Sequence, residues 1–433
     1  MPASMAARPQ SILCLRSLVL DLPPSCVEFC PAHPDYFVIG TYNLENEETT
    51  ADKESDNLNT DGDRIVMKTP QSRNGSLAVY RIAGDTHELL HVQTVSYPSA
   101  LLDLHFHPHQ DKNEIFASIS SNGSLSFFQL APNQRPSRPL VEIATHKPLG
   151  GDGNALFLSC AWHPSLVNLL AITTSDHCVH ILRVDETWNT HRTSSTPITT
   201  HALEVWAVAF SPVVTLYGDT HGSDSETAQG LAVYSGGDDG KLLTTTCVLD
   251  RGRFGGSEID ETSIHAPHQT INTRGHTAGV TAILPLPIPI SDRSHILITG
   301  SYDDHARVFS IHPQVHGAML RPPKLLAERD LGGGVWRLKL VKVEETDKNR
   351  IVTHREWSAL VLASCMHAGC RILRITGSYG ESPEAEVEVI GRFDDHKSMN
   401  YGSDYQPGTE IGSDPLRCLS TSFYDQLVCL WEF

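Results

Sequence analysis

Three kinds of side chain in this 433-residue sequence stand where they could do chemistry. Trp206, Trp336 and Tyr401 each follow a residue (Val205, Val335, Asn400) that opens a recurring short segment, and Val280 opens another. If the segments form a ring, the three aromatics lie at equal radius and height and converge on one opening. Aromatic faces suit a cationic ligand, at ~0.5–2 kcal/mol per ring depending on desolvation; the same rings are equally suited to ordinary packing between repeats. Arg337, next to Trp336, could clasp a carboxylate through two N–H bonds, or cap a sheet edge. His367, in "ASCMHAG" (363–369), occupies a place that six other segments give to Asn or Asp. His105 and His107 of "HFHPH" fall on one face of an extended strand, but no third ligand at fixed spacing completes a metal site, so none is expected.

The elements that would position these residues come from a repeat. Seven pieces share one pattern, a turn residue that is Asn or Asp in six of them followed by an alternating strand: "NGSLAVY" (74–80), "NGSLSFF" (122–128), "DHCVHIL" (176–182), "DGKLLTT" (239–245), "DHARVF" after Asp303, "HAGCRIL" (367–373) and "DQLVCLW" (425–431). Upstream of most lies a second strand closed by proline, as in "LLDLHFHP" and "VWAVAFSP". Four strands per unit, repeated seven times, predict an all-β fold: a seven-bladed WD-repeat β-propeller, one closed single-domain ring over residues 1–433. Ser11 to Leu20 is expected to supply the outer strand of the last blade. Residues 43–73, polar and mostly acidic, are expected to be a disordered insertion in the first blade, and 185–200, 217–229 and 250–273 further surface insertions.

In this frame the turn position belongs to Asn74, Asn122, Asp176, Asp239, Asp303 and Asp425, and only His367 departs. Asn and Asp suit it because their short side chains bond local backbone groups and tolerate positive φ. Histidine is also enriched at positive φ, so His367 is readable as a tolerated turn residue. His276 and His396 stand where WD repeats use a histidine to bond the turn aspartate of the same blade, here Asp303 and Asp425.

A formal charge of −18, from 51 acidic and 33 basic residues, argues against nucleic acid and anionic membrane, both of which draw on clustered Lys and Arg. Ten cysteines without a CxxC pair read as buried thiols of a reducing compartment. The apolar run "SILCLRSLVL" is interrupted by Arg16 and followed by no cleavage signal, so a soluble, cytoplasmic monomer is expected.

The stretches "GGGVWRLK" (332–339), "ASCMHAGCRIL" (363–373), "HKSMNYGSDY" (396–405) and "STSFYDQLVCLWEF" (420–433) resemble the carboxyl-terminal blades of the diphthine methylesterase family, WD-repeat proteins of the diphthamide pathway. The family often has Asn after Met-His and Cys before Ser-Phe-Tyr-Asp, where this chain has Ala368 and Thr421. The resemblance implies hydrolysis of the methyl ester of methylated diphthine on translation elongation factor 2, freeing a carboxylate for amidation, with no cofactor. That substrate carries a trimethylammonium group beside its ester, which fits a mouth built from Trp206, Trp336 and Tyr401. Ester cleavage wants a base near neutrality, which gives His367 the base role. Tyr401 or Arg337 would donate to the oxyanion, Asp404 would orient a base, and His396 belongs to the same catalytic group. A covalent route would run through Ser398 or Cys365. The rival reading is a non-catalytic WD-repeat scaffold or substrate-receptor adaptor, since fold alone does not decide function.

Overall fold

The computed structural model describes residues 8–44, 73–84, 86–150, 155–217, 228–250, 263–288, 294–314, 321–345, 355–379, 383–409 and 415–433. They form seven sheets of four to six strands, antiparallel except at the edge strand Gln10–Ile12, with one 3₁₀ turn at Gln110–Lys112. The innermost strands, in ring order, are Pro24–Cys30, Leu101–Phe106, Phe157–Trp162, Val205–Phe210, Val280–Pro285, Val335–Glu345 and Asn400–Tyr405. Each contacts the innermost strand of the next blade, and Pro24–Cys30 contacts Asn400–Tyr405 to complete the circle.

Closure uses the amino-terminal segment, as the sequence predicts. Cys14–Val19 pairs antiparallel with Leu427–Glu432, so the last blade is completed by a strand more than four hundred residues away. Gln10–Ile12 pairs in parallel with the outer strand of the sixth blade.

Adjacent blades lock through a glycine on the second strand of one and a branched residue on the first strand of the next. A Cβ on Gly236 would lie 2.6 Å from Val280 Cγ1, and one on Gly300 would lie 2.5 Å from Val335 Cγ1. The alternating strands fill the spaces between blades with buried apolar residues such as Ile298, Val308, Val335, Val361 and Ala363.

Three sequence expectations are corrected here. Residues 185–200 and the described part of 250–273 are not free insertions. Thr190–Arg192 and Thr199–Thr200 edge the third blade, and Ser263–His265 with Ile271–Thr273 edge the fourth. Runs of two or three residues are too short to show alternation. Asn74 does not make a tight turn; it pairs with Asn43, and the side-chain amide of Asn43 donates to Asn74 Oδ1 (3.1 Å). The expected acidic insertion lies, apart from residues 43, 44 and 73, outside the described residues, as do 218–227.

The third correction concerns two histidines. His396 Nε2 meets Ser420 Oγ at 2.7 Å, and the Trp431 indole N–H donates to the same oxygen (3.0 Å). His276 Nε2 meets Thr299 Oγ1 at 2.9 Å. Neither bonds its turn aspartate. The expected arrangement occurs instead in the fourth blade, where His201 spans Asp239 (Nδ1, 3.0 Å) and Ser235 (Nε2, 2.9 Å).

Candidate functional site: an aromatic mouth over a charged channel

The expected convergence of aromatics is present. Ring centroids are 5.5 Å apart for Trp206 and Trp336, and 5.0 Å for Trp336 and Tyr401. Tyr302 joins at 6.0 Å from Trp336, and Phe423 at 5.3 Å from Tyr401. The Asp238 carboxyl stands beside this group: burial pushes its pKa up, and the Trp206 indole acts against that. Tyr401 and Tyr302 are both pushed up by burial, so their hydroxyls stay protonated donors at neutral pH.

Sequence reasoning missed Tyr302, Phe423 and Asp238, yet a signal was there. Asp238, Tyr302, Met366 and Tyr424 each stand one residue before the turn position of blades four to seven. That position points to the same end of the ring as the starts of the inner strands.

His367 is exposed on that end. Its turn is closed by Ala368 N–H donating to the Cys365 carbonyl (2.6 Å), and Asn400 N–H donates to the Met366 carbonyl (3.0 Å). The second bond ties the turn to the residue preceding Tyr401. The positive φ expected of His367 falls on its neighbours, Met366 (24°) and Gly369 (71°). Left-handed backbone therefore does not explain a histidine at this place.

The other candidates separate. Arg337 does bind a carboxylate bidentately, but an internal one: Nη2 and Nη1 donate to the two oxygens of Asp103 at 2.9 and 3.4 Å. Asp404 is buried; its Oδ2 accepts from Phe29 N–H (2.8 Å) and its Oδ1 lies 3.2 Å from Lys339 Nζ, so it faces no histidine that it could orient. His396 is sealed inside its blade, and burial lowers its pKa to about 4, which leaves a neutral structural imidazole rather than a catalytic one. Cys365 is fully buried in the core with its thiol pushed up by burial, and Ser398 Oγ accepts from Ser422 Oγ and Tyr424 N–H, so neither is presented as a nucleophile.

Below the mouth lies a cavity of about 350 Å³, lined by Tyr401, Arg337, Lys339, Asp103, His105 and Glu28 among others. Lys339 Nζ reaches Glu28 (3.1 Å) as well as Asp404, and His105 sits between Glu28 (2.9 Å) and Asp103 (3.4 Å). Burial alone would lower the His105 pKa, but the flanking carboxylates raise it to about 9, so it is an imidazolium. His107, expected on the same face, is instead buried against Trp162 (centroids 4.8 Å), with Nε2 at 2.9 Å from the Val167 carbonyl. Asp103, His105 and Cys160 bring ligand atoms within 4.8 Å of one another. A metal ion there would have to displace both the Arg337 guanidinium and the His105 proton. A depression of about 1150 Å³ lies at the far end of the sixth blade among Glu344, Glu356, Glu384 and Glu386, on strand segments remote from the mouth.

The chain aligns over most of its length with diphthine methyltransferases. Identity to the human protein is 28% over 408 residues, which is 90% of this chain and 74% of the relative. The Schizosaccharomyces pombe protein is 26% identical over 413 residues, 95% of each chain, and the Dictyostelium discoideum homologue 23% over 429 residues, 95% of this chain and 97% of the relative. The chain is thus similar to these proteins along nearly its whole length. No family model matches it. The similarity extends from the last hundred residues to nearly the whole ring, so that the blades contributing Trp206 and Asp103 are covered along with those contributing Trp336 and His367. Among the described residues no helix is long and apolar enough to cross a membrane.

Proposed function

We propose that this protein acts in diphthamide formation by hydrolysing the methyl ester of methylated diphthine on translation elongation factor 2. The observation that carries the reading is the aromatic mouth of Trp206, Tyr302, Trp336 and Tyr401 with Asp238 at its edge, a receptor for a quaternary ammonium group. The names of the relatives supply diphthine, whose trimethylammonium group matches that receptor.

In the reaction, His367 takes a proton from water as the oxygen attacks the ester carbonyl. The Tyr401 hydroxyl donates to the oxyanion. Collapse of the tetrahedral intermediate breaks the C–OCH₃ bond, and the imidazolium returns the proton to the departing methoxide. Ester and water thus become acid and methanol, and the acid ionises. His367 has the exposure this needs, and its turn is tethered to the strand that carries Tyr401. General base catalysis of this kind is worth ~10²–10⁴-fold.

Purified protein incubated with the methylated elongation factor should release methanol over many turnovers, with loss of one methyl mass from the factor. His367→Ala should abolish release and leave the fold intact. Full activity in that variant would remove the base assignment, and stoichiometric binding without turnover would make the protein an adaptor.

A further inference from the structure

Glu28, Asp103, His105, Arg337 and Lys339 line the channel cavity, with Asp404 behind Lys339, and they do not face it equally. The carboxylates are set back into the wall: the side chains of Asp103 and Asp404 are 1% and 3% exposed. Asp103 accepts from Leu104 and Cys160 N–H as well as from Arg337, and Asp404 Oδ2 accepts from Phe29 N–H while its Oδ1 faces Lys339. The cations stand forward, Arg337 at 26% and Lys339 at 36% exposed. His105 has both ring nitrogens engaged by Glu28 and Asp103. Arg337 has five N–H donors and directs Nη1 and Nη2 at Asp103; Lys339 has three and meets Glu28 and Asp404. Spare donors therefore remain on two cations two residues apart on one strand, which places both on the same face.

The aromatic group adjoins the cavity through Tyr401. Trp336 precedes Arg337 in the chain, and Tyr401 belongs both to the aromatic group and to the cavity lining. A ligand whose quaternary nitrogen rests against Trp336 and Tyr401 would extend an attached acid group toward Arg337 and Lys339.

We propose that the channel cavity is an anion subsite that holds the carboxylate of an α-trimethylammonio acid, a betaine, whose cationic end occupies the aromatic mouth. This rests on the reading of the mouth as a quaternary ammonium receptor. It adds that the site prefers the zwitterionic acid to a cation with a neutral tail. Hydrogen bonds from ionised donors to an ionised acceptor are about twice as strong as neutral ones. The acid freed by ester cleavage is therefore held more tightly than the ester, and its release becomes slow relative to that of a neutral product.

The test is calorimetric titration of the intact chain with glycine betaine, choline and tetramethylammonium. Choline keeps the quaternary nitrogen and replaces the carboxylate with a hydroxyl. Glycine betaine is expected to bind about tenfold more tightly than choline, the difference between a charge-assisted and a neutral hydrogen bond. Lys339→Gln should reduce that advantage several-fold and leave tetramethylammonium binding unchanged. Betaine and choline binding within twofold of each other in the unaltered chain would overturn the subsite, even where Lys339→Gln fails to fold. Tetramethylammonium that binds while betaine gains nothing over choline defeats the subsite alone. Failure of all three to bind defeats the ammonium receptor with it.

Discussion

The Trp336 indole and the Tyr401 phenol, from adjacent blades, stand 5.0 Å apart with their planes inclined at 52°. The two faces are splayed, so a compact cation can touch both, whereas parallel stacked rings would hide one face from any ligand. Trp336→Ala should raise KM for the methylated factor roughly 2- to 30-fold, the effect of one cation–π face, with kcat nearly unchanged because the ring binds substrate and transition state alike. Trp336→Phe should recover most of the loss. An unaltered KM in the alanine variant would take the mouth out of substrate recognition.

His367→Asn separates chemistry from the turn. Asparagine fits this place, as Asn122 does in the second blade, where its Oδ1 accepts from Ser120 Oγ and Ser124 N–H. The variant should melt within a degree or two of the parent while methanol release falls ~10²–10⁴-fold. A large loss of thermal stability with proportionate loss of activity would show that the imidazole serves the fold.

What could be read in the sequence follows from the period of the repeat. Trp206, Trp336 and Tyr401 share one register of the inner strands, so their convergence needed only the ring, and the closing strand Cys14–Val19 was the one apolar segment left over. The channel cluster had no such signature. Arg337 meets Asp103 across 234 positions and Lys339 meets Glu28 across 311, pairings that no local spacing encodes. The sequence alone therefore leaves Arg337 and Asp404 free for catalysis, whereas in the ring each has a partner. His396 differs for another reason: its chemical type suggests reactivity, and only its burial against Ser420 shows a neutral packing group.

Interior histidines make the ring sensitive to acid. Burial lowers His163, His276, His295 and His396 to about 4, below the ordinary value of 6.5. Above pH 6.5 these groups are neutral whether folded or unfolded and add no pH dependence. As pH falls from 6.5 toward 4, the unfolded chain takes up protons that the folded chain refuses, so stability declines through that window. The denaturant midpoint should drop steadily between pH 6.5 and 4; it should also fall as pH rises above 6.5, because His105, raised to about 9 by its carboxylates, keeps a proton that the unfolded chain gives up. A level midpoint down to pH 4.5 would mean that these imidazoles charge freely in the folded ring.

Gly300 ties blade packing to the mouth. A Cβ there would meet Val335 Cγ1 at 2.5 Å and the Val335 carbonyl oxygen at 2.7 Å. The backbone oxygen cannot swing aside as a flexible side chain would, and it already accepts a hydrogen bond from Thr281 Oγ1. Gly300→Ala must therefore push the start of the sixth inner strand outward, and Trp336 is the next residue along it. The variant should lose ~1–3 kcal/mol of stability, the usual cost of overpacking, and its KM should rise with that of Trp336→Ala although Gly300 touches no ligand. Gly84→Ala, where an added methyl meets nothing within 4 Å, is the control and should leave both quantities unchanged. A Gly300→Ala protein with lowered stability and normal KM would show that the indole is held by its own blade and not by the spacing between blades.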